Sequence, residues 1–262
     1  MKIAFFDSGM GGLSVLHHAR RVLPHAEFLF YADEDHVPYG EKSRADILRY
    51  VTEAFDFLVG EGADAIVVAC NTATSVAIAA MRRRYAISII GMEPAAKRAL
   101  DLDGAHRVLV AATPVTVKGE KLRLLLGRVD RRHLADCIAL PRLVTFAERE
   151  EFRSEAVTTY LRESLAPFRL GDYSAFVLGC THFNYFKETL RALLPPNVHF
   201  VDGNAGTMQP RWSSSASSAA RRRFRRRGSR RCNTTTRVES SVTNRSSRAS
   251  RAAWHNSTRS MR

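Results

Sequence analysis

Ala65-Ile66-Val67-Val68-Ala69-Cys70-Asn71-Thr72 and, far downstream, Ala175-Phe176-Val177-Leu178-Gly179-Cys180-Thr181-His182 decide the fold of this chain. Each begins with a short, unbroken apolar run, the pattern of a strand buried on both faces of a parallel sheet. Each run then delivers one cysteine, followed at once by hydroxyl and amide or imidazole groups. Ligands of α/β sheets collect outside the carboxyl ends of the strands, which is where both thiols fall.

Working outward, strands and helices alternate through residue 207. Lys2–Phe6 reads as a strand ending in Asp7-Ser8-Gly9, Leu13–Val22 as a helix and Phe28–Tyr31 as the next strand. Ser43 is a candidate N-cap for a helix through Val59, whose apolar residues Ile47, Val51, Phe55 and Leu58 follow helical spacing. A helix over Thr74–Arg84 and a strand over Ile87–Ile90 complete the first half. The second half repeats the scheme: strand Arg107–Ala111, helices over Thr116–Leu126 and Glu148–Leu165, strand Ala175–Leu178, a helix through Leu194, and strand Val198–Val201. Alternation of this kind predicts an α/β fold with parallel sheets flanked by helices. Asp7 precedes Cys70 by 63 residues and Thr113 precedes Cys180 by 67. The halves therefore read as two similar lobes, residues 1–92 and 93–207, with the active site between them.

Charge sets the remaining residues apart. The chain carries 40 basic and 26 acidic residues, a net charge of +14, but 15 arginines and a single acid (Glu239) lie in residues 208–262. Residues 1–207 therefore hold 25 of each sign and are neutral. Residues 208–262 contain no leucine or isoleucine and 13 serines, and they follow neither the helix nor the strand period. Such a segment buries too little to offset its ordering entropy, so a disordered, low-complexity tail is expected. Out-of-frame translation of GC-rich DNA near Met208 accounts for this composition. The rival readings are a solvated tail without a role and an arm that binds nucleic acid or a membrane surface non-specifically through counterion release. No basic-then-apolar leader and no 18-residue apolar run is read, so no membrane association is expected. The four cysteines lack metal-type spacing, and a cytoplasmic chain with reduced thiols is the expectation.

Two thiols from matched positions can work on opposite faces of one carbon acid. A thiolate at a helix N-terminus removes a proton, and a thiol on the far side donates one. Asp7 is the candidate partner of Cys70, and His182 that of Cys180. Taken singly, either cysteine reads better as a small buried apolar residue; two in matched contexts reverse that preference. Asp7-Ser8-Gly9-Met10-Gly11-Gly12 fails the dinucleotide spacing because Ser14 stands where the third glycine belongs, so it reads as a tight turn bringing amides and Ser8 to a small anion. Asp33-Glu34-Asp35-His36 has no second ligand set and is read as loop acids, not as a metal site. Pro38-Tyr39-Gly40 reads as a rigid turn able to seat a carboxylate.

Asp7-Ser8-Gly9, Gly11-Gly12-Leu13-Ser14-Val15, Pro38-Tyr39-Gly40, Cys70-Asn71-Thr72, Gly91-Met92-Glu93-Pro94 and Leu178-Gly179-Cys180-Thr181-His182 occur in one order over residues 1–207. Together they resemble the glutamate racemases of the aspartate/glutamate racemase superfamily. The resemblance implies a cofactor-independent isomerase that interconverts L- and D-glutamate and supplies D-glutamate for peptidoglycan. It implies Cys70 and Cys180 as the acid/base thiols, assisted by Asp7 and His182, with Glu148 as a further carboxylate. Ser8, Tyr39, Gly40, Asn71, Thr72, Thr113, Thr116 and Thr181 would hold the substrate. Family members continue past Asp202 with helix-forming sequence that returns to the first lobe, from which residues 208–262 depart. No metal and no cofactor is expected, the partner is a small amino acid, and a homodimer is one oligomeric option. The competing readings are an aspartate or other amino-acid racemase of the superfamily, and an inactive binding protein whose arginine-rich tail holds nucleic acid.

Overall fold

The computed structural model of the chain describes residues 1–92 and 95–208, Asp103 by its backbone alone. The readings made for Glu93, Pro94 and 209–262 lie outside the described residues. Elements follow in the order β1 (Lys2–Asp7), α1 (Leu13–Val22), β2 (Glu27–Ala32), α2 (Arg44–Gly60), β3 (Ala65–Val68), α3 (Asn71–Arg84), β4 (Ser88–Gly91) and α4 (Ala96–Asp103). Then come β5 (Arg107–Ala112), α5 (Pro114–Val117), α6 (Glu120–Val129), β6 (Ala135–Ala139), α7 (Arg142–Glu148), α8 (Glu155–Leu165), β7 (Tyr173–Leu178), α9 (Lys187–Leu193), β8 (His199–Asp202) and α10 (Asn204–Thr207).

The strands form two four-stranded sheets, ordered β2-β1-β3-β4 and β6-β5-β7-β8, with every pairing parallel. The two orders match strand for strand. Each sheet is sandwiched. Ala4, Phe6, Ile66 and Val68 face α2 and α3 on one side of the first, while Ile3, Phe5 and Val67 meet Val15 and Ala19 of α1 on the other. Leu109, Ala111, Phe176 and Leu178 pack towards α7, α8 and α9, and Val108, Val110, Ala175 and Val177 pack with Ala96, Ala99 and Leu122 of α4 and α6. Burial on both faces is why these strands read as continuous apolar runs. Met208 is buried in the core beside β1 and β3, so ordered packing extends one residue past the expected end of the second lobe. Among the described residues no helix is long and apolar enough to cross a membrane.

Several elements differ from expectation. Helix α3 starts three residues earlier than its apolar pattern indicates, because Cys70 itself occupies the N-cap and its Sγ accepts from the Ala73 amide. The expected helix over Thr116–Leu126 is two: Thr113 caps α5, and Gly119 precedes α6. The expected helix over Glu148–Leu165 begins later, at Glu155: α7 ends at Glu148, Glu150 adopts a positive φ of 58°, and Ser154 caps α8. After Cys180 the chain first makes a 3-10 stretch, Thr181–Phe186, before α9. Elements α4, β6, α7 and α10 were not read from the sequence. Strand β6 lies at the sheet edge with one buried residue, Ile138, and lacks the apolar run of a central strand.

Candidate active site

The pairing of the sheets puts the two cysteines in equivalent positions. The Ala69 amide donates to the Phe6 carbonyl at 2.7 Å and the Gly179 amide donates to the Ala111 carbonyl at 2.7 Å. Cys70 and Cys180 are the next residues, each one step beyond the last bond to the central strand of its sheet. Both thiols are buried, 5% and 6% exposed. Position 179 demands glycine, because a Cβ there would lie 2.6 Å from the Ala111 carbonyl oxygen.

Asp7, at the end of β1, is fully buried and its two oxygens serve both sides. Oδ1 accepts from the Ser8 amide at 2.7 Å and from the Ser8 hydroxyl at 3.3 Å, and Ser8 Oγ in turn lies 3.6 Å from Cys70 Sγ. Oδ2 accepts from the Thr181 hydroxyl at 3.1 Å. Burial raises the Asp7 carboxyl to about 6, against the lowering influence of His182, the Ser8 amide, Thr181 and Cys70. Burial, with the charge of Asp7 beside it, also pushes the Cys70 thiol well above its ordinary range.

His182 organises the other side. It is 1% exposed, with Nδ1 3.7 Å from Cys180 Sγ and Nε2 2.5 Å from Glu148 Oε1. An imidazolium satisfies both neighbours at once. Burial opposes that charge, but the hydrogen bonds with Cys180 and Glu148 and the field of Asp7 prevail and push the ring up to about 10. Glu148, the last residue of α7, also accepts from the Met10 amide at 2.9 Å. The glycine turn after β1 therefore brings its amides to Asp7 and to Glu148, so in this structure the turn's anions are the protein's own carboxylates. Its glycines are required by closeness: a Cβ at Gly9 would meet Glu148 Oε1 at 2.0 Å, and one at Gly11 would meet His182 Nδ1 at 2.5 Å.

A second seam joins the lobes through hydroxyls. Thr72 Oγ1 lies 2.8 Å from Thr113 Oγ1, which donates to Thr116 Oγ1 at 3.0 Å. Gly40 sits against Thr113, where a Cβ would come within 2.7 Å of that side chain. Tyr39 is buried and its hydroxyl donates to Asp33, not into the space between the cysteines. Asn71 is buried, and its Oδ1 has no partner among the described residues. Asp33, read from the sequence only as a loop acid, accepts from the Tyr39 hydroxyl, and Tyr185, not singled out from the sequence, donates its hydroxyl to the Met10 carbonyl at 3.0 Å. A cavity of about 1020 Å³ touches neither cysteine; Ser14, His17, Arg98, His199 and Asp202 are among its walls. Among the described residues no three His, Cys, Asp or Glu side chains gather as ligands for a metal ion.

The chain has two matched parallel sheets with a buried cysteine at the same strand end of each, and the family Asp/Glu/Hydantoin racemase matches residues 14–209. The chain belongs to that family. Within it, the chain is similar to glutamate racemases. It is 56% identical over 214 residues to the glutamate racemase of Campylobacter curvus (strain 525.92), spanning 79% of this chain and 80% of that protein. The glutamate racemase of Lachnospira eligens is 53% identical over 208 residues, spanning 79% and 78%. Among solved structures, Escherichia coli glutamate racemase in complex with L-glutamate and activator UDP-MurNAc-ala matches with a TM-score of 0.72 and 33% identity, over 80% of this chain and 81% of that one.

Proposed function

We propose that the chain interconverts L- and D-glutamate without a cofactor, Cys70 and Cys180 serving as opposed acid and base, and thereby supplies D-glutamate for peptidoglycan. The equivalence of the two thiols carries this reading: each stands one residue past the matching backbone bond of its sheet. Each is joined to its own proton-handling group, Cys70 through Ser8 to Asp7 and Cys180 directly to His182. The glutamate racemases among its relatives supply the substrate.

In one direction a thiolate takes the Cα proton and the other thiol donates its proton to the opposite face. The sulfurs exchange protonation states, so the product complex is the starting point for the reverse reaction. Cys70, held protonated by burial and by Asp7, rests as the donor. On the other side His182, protonated and tied to Glu148, is the proton store for Cys180. The hydroxyls of Ser8, Thr72, Thr113, Thr116 and Thr181, the Asn71 amide and the backbone at Tyr39 and Gly40 hold the substrate. Both thiols are buried, and a closed site excludes water from the reacting carbon.

Circular dichroism of L-glutamate incubated with the full chain tests the reaction. Loss of signal towards the racemate is expected, with no turnover for Cys70→Ser or Cys180→Ser. Substantial turnover by either variant overturns the two-thiol mechanism, and faster turnover of L-aspartate than of L-glutamate overturns the substrate.

A further inference from the structure

Asp33 is a buried carboxylate that the proposed chemistry does not use. It is 7% exposed and stands immediately after β2. Its amide donates to the Asp7 carbonyl at 3.0 Å, fastening its backbone to the end of β1. Its side chain then reaches along its own loop: Oδ1 lies 2.7 Å from His36 Nδ1, and Oδ2 accepts from the Tyr39 hydroxyl at 2.5 Å. His36 stacks on Tyr50 with ring centroids 3.7 Å apart. Both arms of the carboxylate are thus spent on closing the segment between residues 33 and 39.

What that closure holds is the lobe seam. Tyr39 is 1% exposed and lies in the same core as Cys70, its ring 6.3 Å from Phe6 and 6.0 Å from Tyr50. The next residue, Gly40, abuts Thr113, and Thr113 bonds Thr72, two residues from Cys70. A hydrogen bond to a buried charge is among the stronger ones a protein makes, and a phenol left without its acceptor is costly to bury. Burial and the charge of Asp33 keep the Tyr39 phenol far above its ordinary range, so it remains a donor at every working pH.

We propose that Asp33 is a positioning residue: by accepting the Tyr39 hydroxyl it holds the Tyr39–Gly40 turn beside Cys70 and against Thr113, and so sets the affinity for the amino-acid substrate. The affinity part rests on the racemase reading; the positioning part does not. The test therefore has two arms, run on Tyr39→Phe, Asp33→Ala and Asp33→Asn. The last keeps an acceptor oxygen for Tyr39 while removing the charge.

In the first arm, iodoacetamide labelling is followed at Cys70 and Cys180 by peptide mass spectrometry. Tyr39→Phe and Asp33→Ala raise the Cys70 rate about tenfold, the size of one lost hydrogen bond to a charged group, and leave Cys180 unchanged. Asp33→Asn stays within about twofold of the parent, because its oxygen still accepts. Cys180 is the internal control: a variant that merely loosens the fold accelerates both cysteines together, and that result overturns the proposal, as does an unchanged Cys70 rate. In the second arm, steady-state racemisation gives a KM for L-glutamate raised about tenfold in the same two variants, with kcat within about twofold. The Asp33→Ala/Tyr39→Phe double variant is no worse than Asp33→Ala, since the pair acts as a unit. Additive effects, or an unchanged KM, overturn it. If the parent chain does not racemise glutamate, the functional reading fails, and the labelling arm alone decides the role of Asp33.

Discussion

Replacing Glu148 by glutamine removes the carboxylate that, among the described residues, is in direct contact with His182. The contact is short, 2.5 Å from Oε1 to Nε2, and the His182 side chain is 2% exposed against 20% for Glu148. A hydrogen bond to a charged group contributes about 1.5–3 kcal/mol, and one pKa unit corresponds to about 1.36 kcal/mol. The ring, held at about 10, should therefore fall by one to two units, about the ratio of those two figures. At pH 8 the protonated fraction drops from about 99% to between about one half and nine tenths. Proton-detected nitrogen spectra of the imidazole rings, recorded from pH 6 to 11 in both proteins, read the change directly. The pH profile of kcat/KM provides the functional counterpart, with its basic limb moving down by the same interval. His182 is raised above its unfolded value, so its stabilising contribution is complete below about pH 6.5 and is lost as the pH climbs through 10. Glu148→Gln brings that loss to a lower pH. A ring in the variant that titrates within about 0.3 unit of the parent would refute the assignment of Glu148 as its anchor.

Asp7 acts in the opposite pH range. Its folded value of about 6 stands above the ordinary 3.8, so its neutral form stabilises the fold at low pH and that stability, about 3 kcal/mol, is lost as the pH rises from 4 to 6. Asp7→Asn should flatten this part of a thermal-melt pH series; an unchanged slope between pH 4 and 6 would contradict the burial argument. Gly11→Ala drives a methyl into His182 and Thr181 and should cost about 1–3 kcal/mol with loss of turnover. Gly60→Ala, at a helix position with nothing within 4 Å, should be neutral or stabilising by up to about 1 kcal/mol, and urea melts of the pair separate the cases. Ser43→Ala removes the hydroxyl that accepts from the Asp46 amide at 3.1 Å and should lower stability by about 1 kcal/mol.

The two-lobed α/β plan was legible because central parallel strands, covered on both faces, leave continuous apolar runs such as Ala65–Val68 and Ala175–Leu178. Edge position hid β6, where Ala135, Asp136 and Cys137 are only partly covered. The late start of α8 was hidden for a different reason: Glu150 at positive φ and the Ser154 cap are local backbone choices at the head of the expected helix. In the site, Cys70, Cys180, Asp7 and Thr113 announce themselves by following strands. Glu148 does not, since its meaning depends on His182, 34 residues away in sequence; only the family resemblance pointed to it. Asp33 looked like a solvated loop acid. Its role depends on burial and on a tyrosine six residues ahead, neither visible in local composition.

Racemisation of L-glutamate in deuterium oxide, sampled during the first few per cent of turnover, tests the opposed-thiol account most directly. Two bases on opposite faces predict deuterium at Cα in the D-glutamate formed and none in the L-glutamate recovered, because the proton donated comes from a different sulfur than the one that took it. Equal deuteration of both enantiomers, or D-glutamate that keeps its original α-proton, would contradict it.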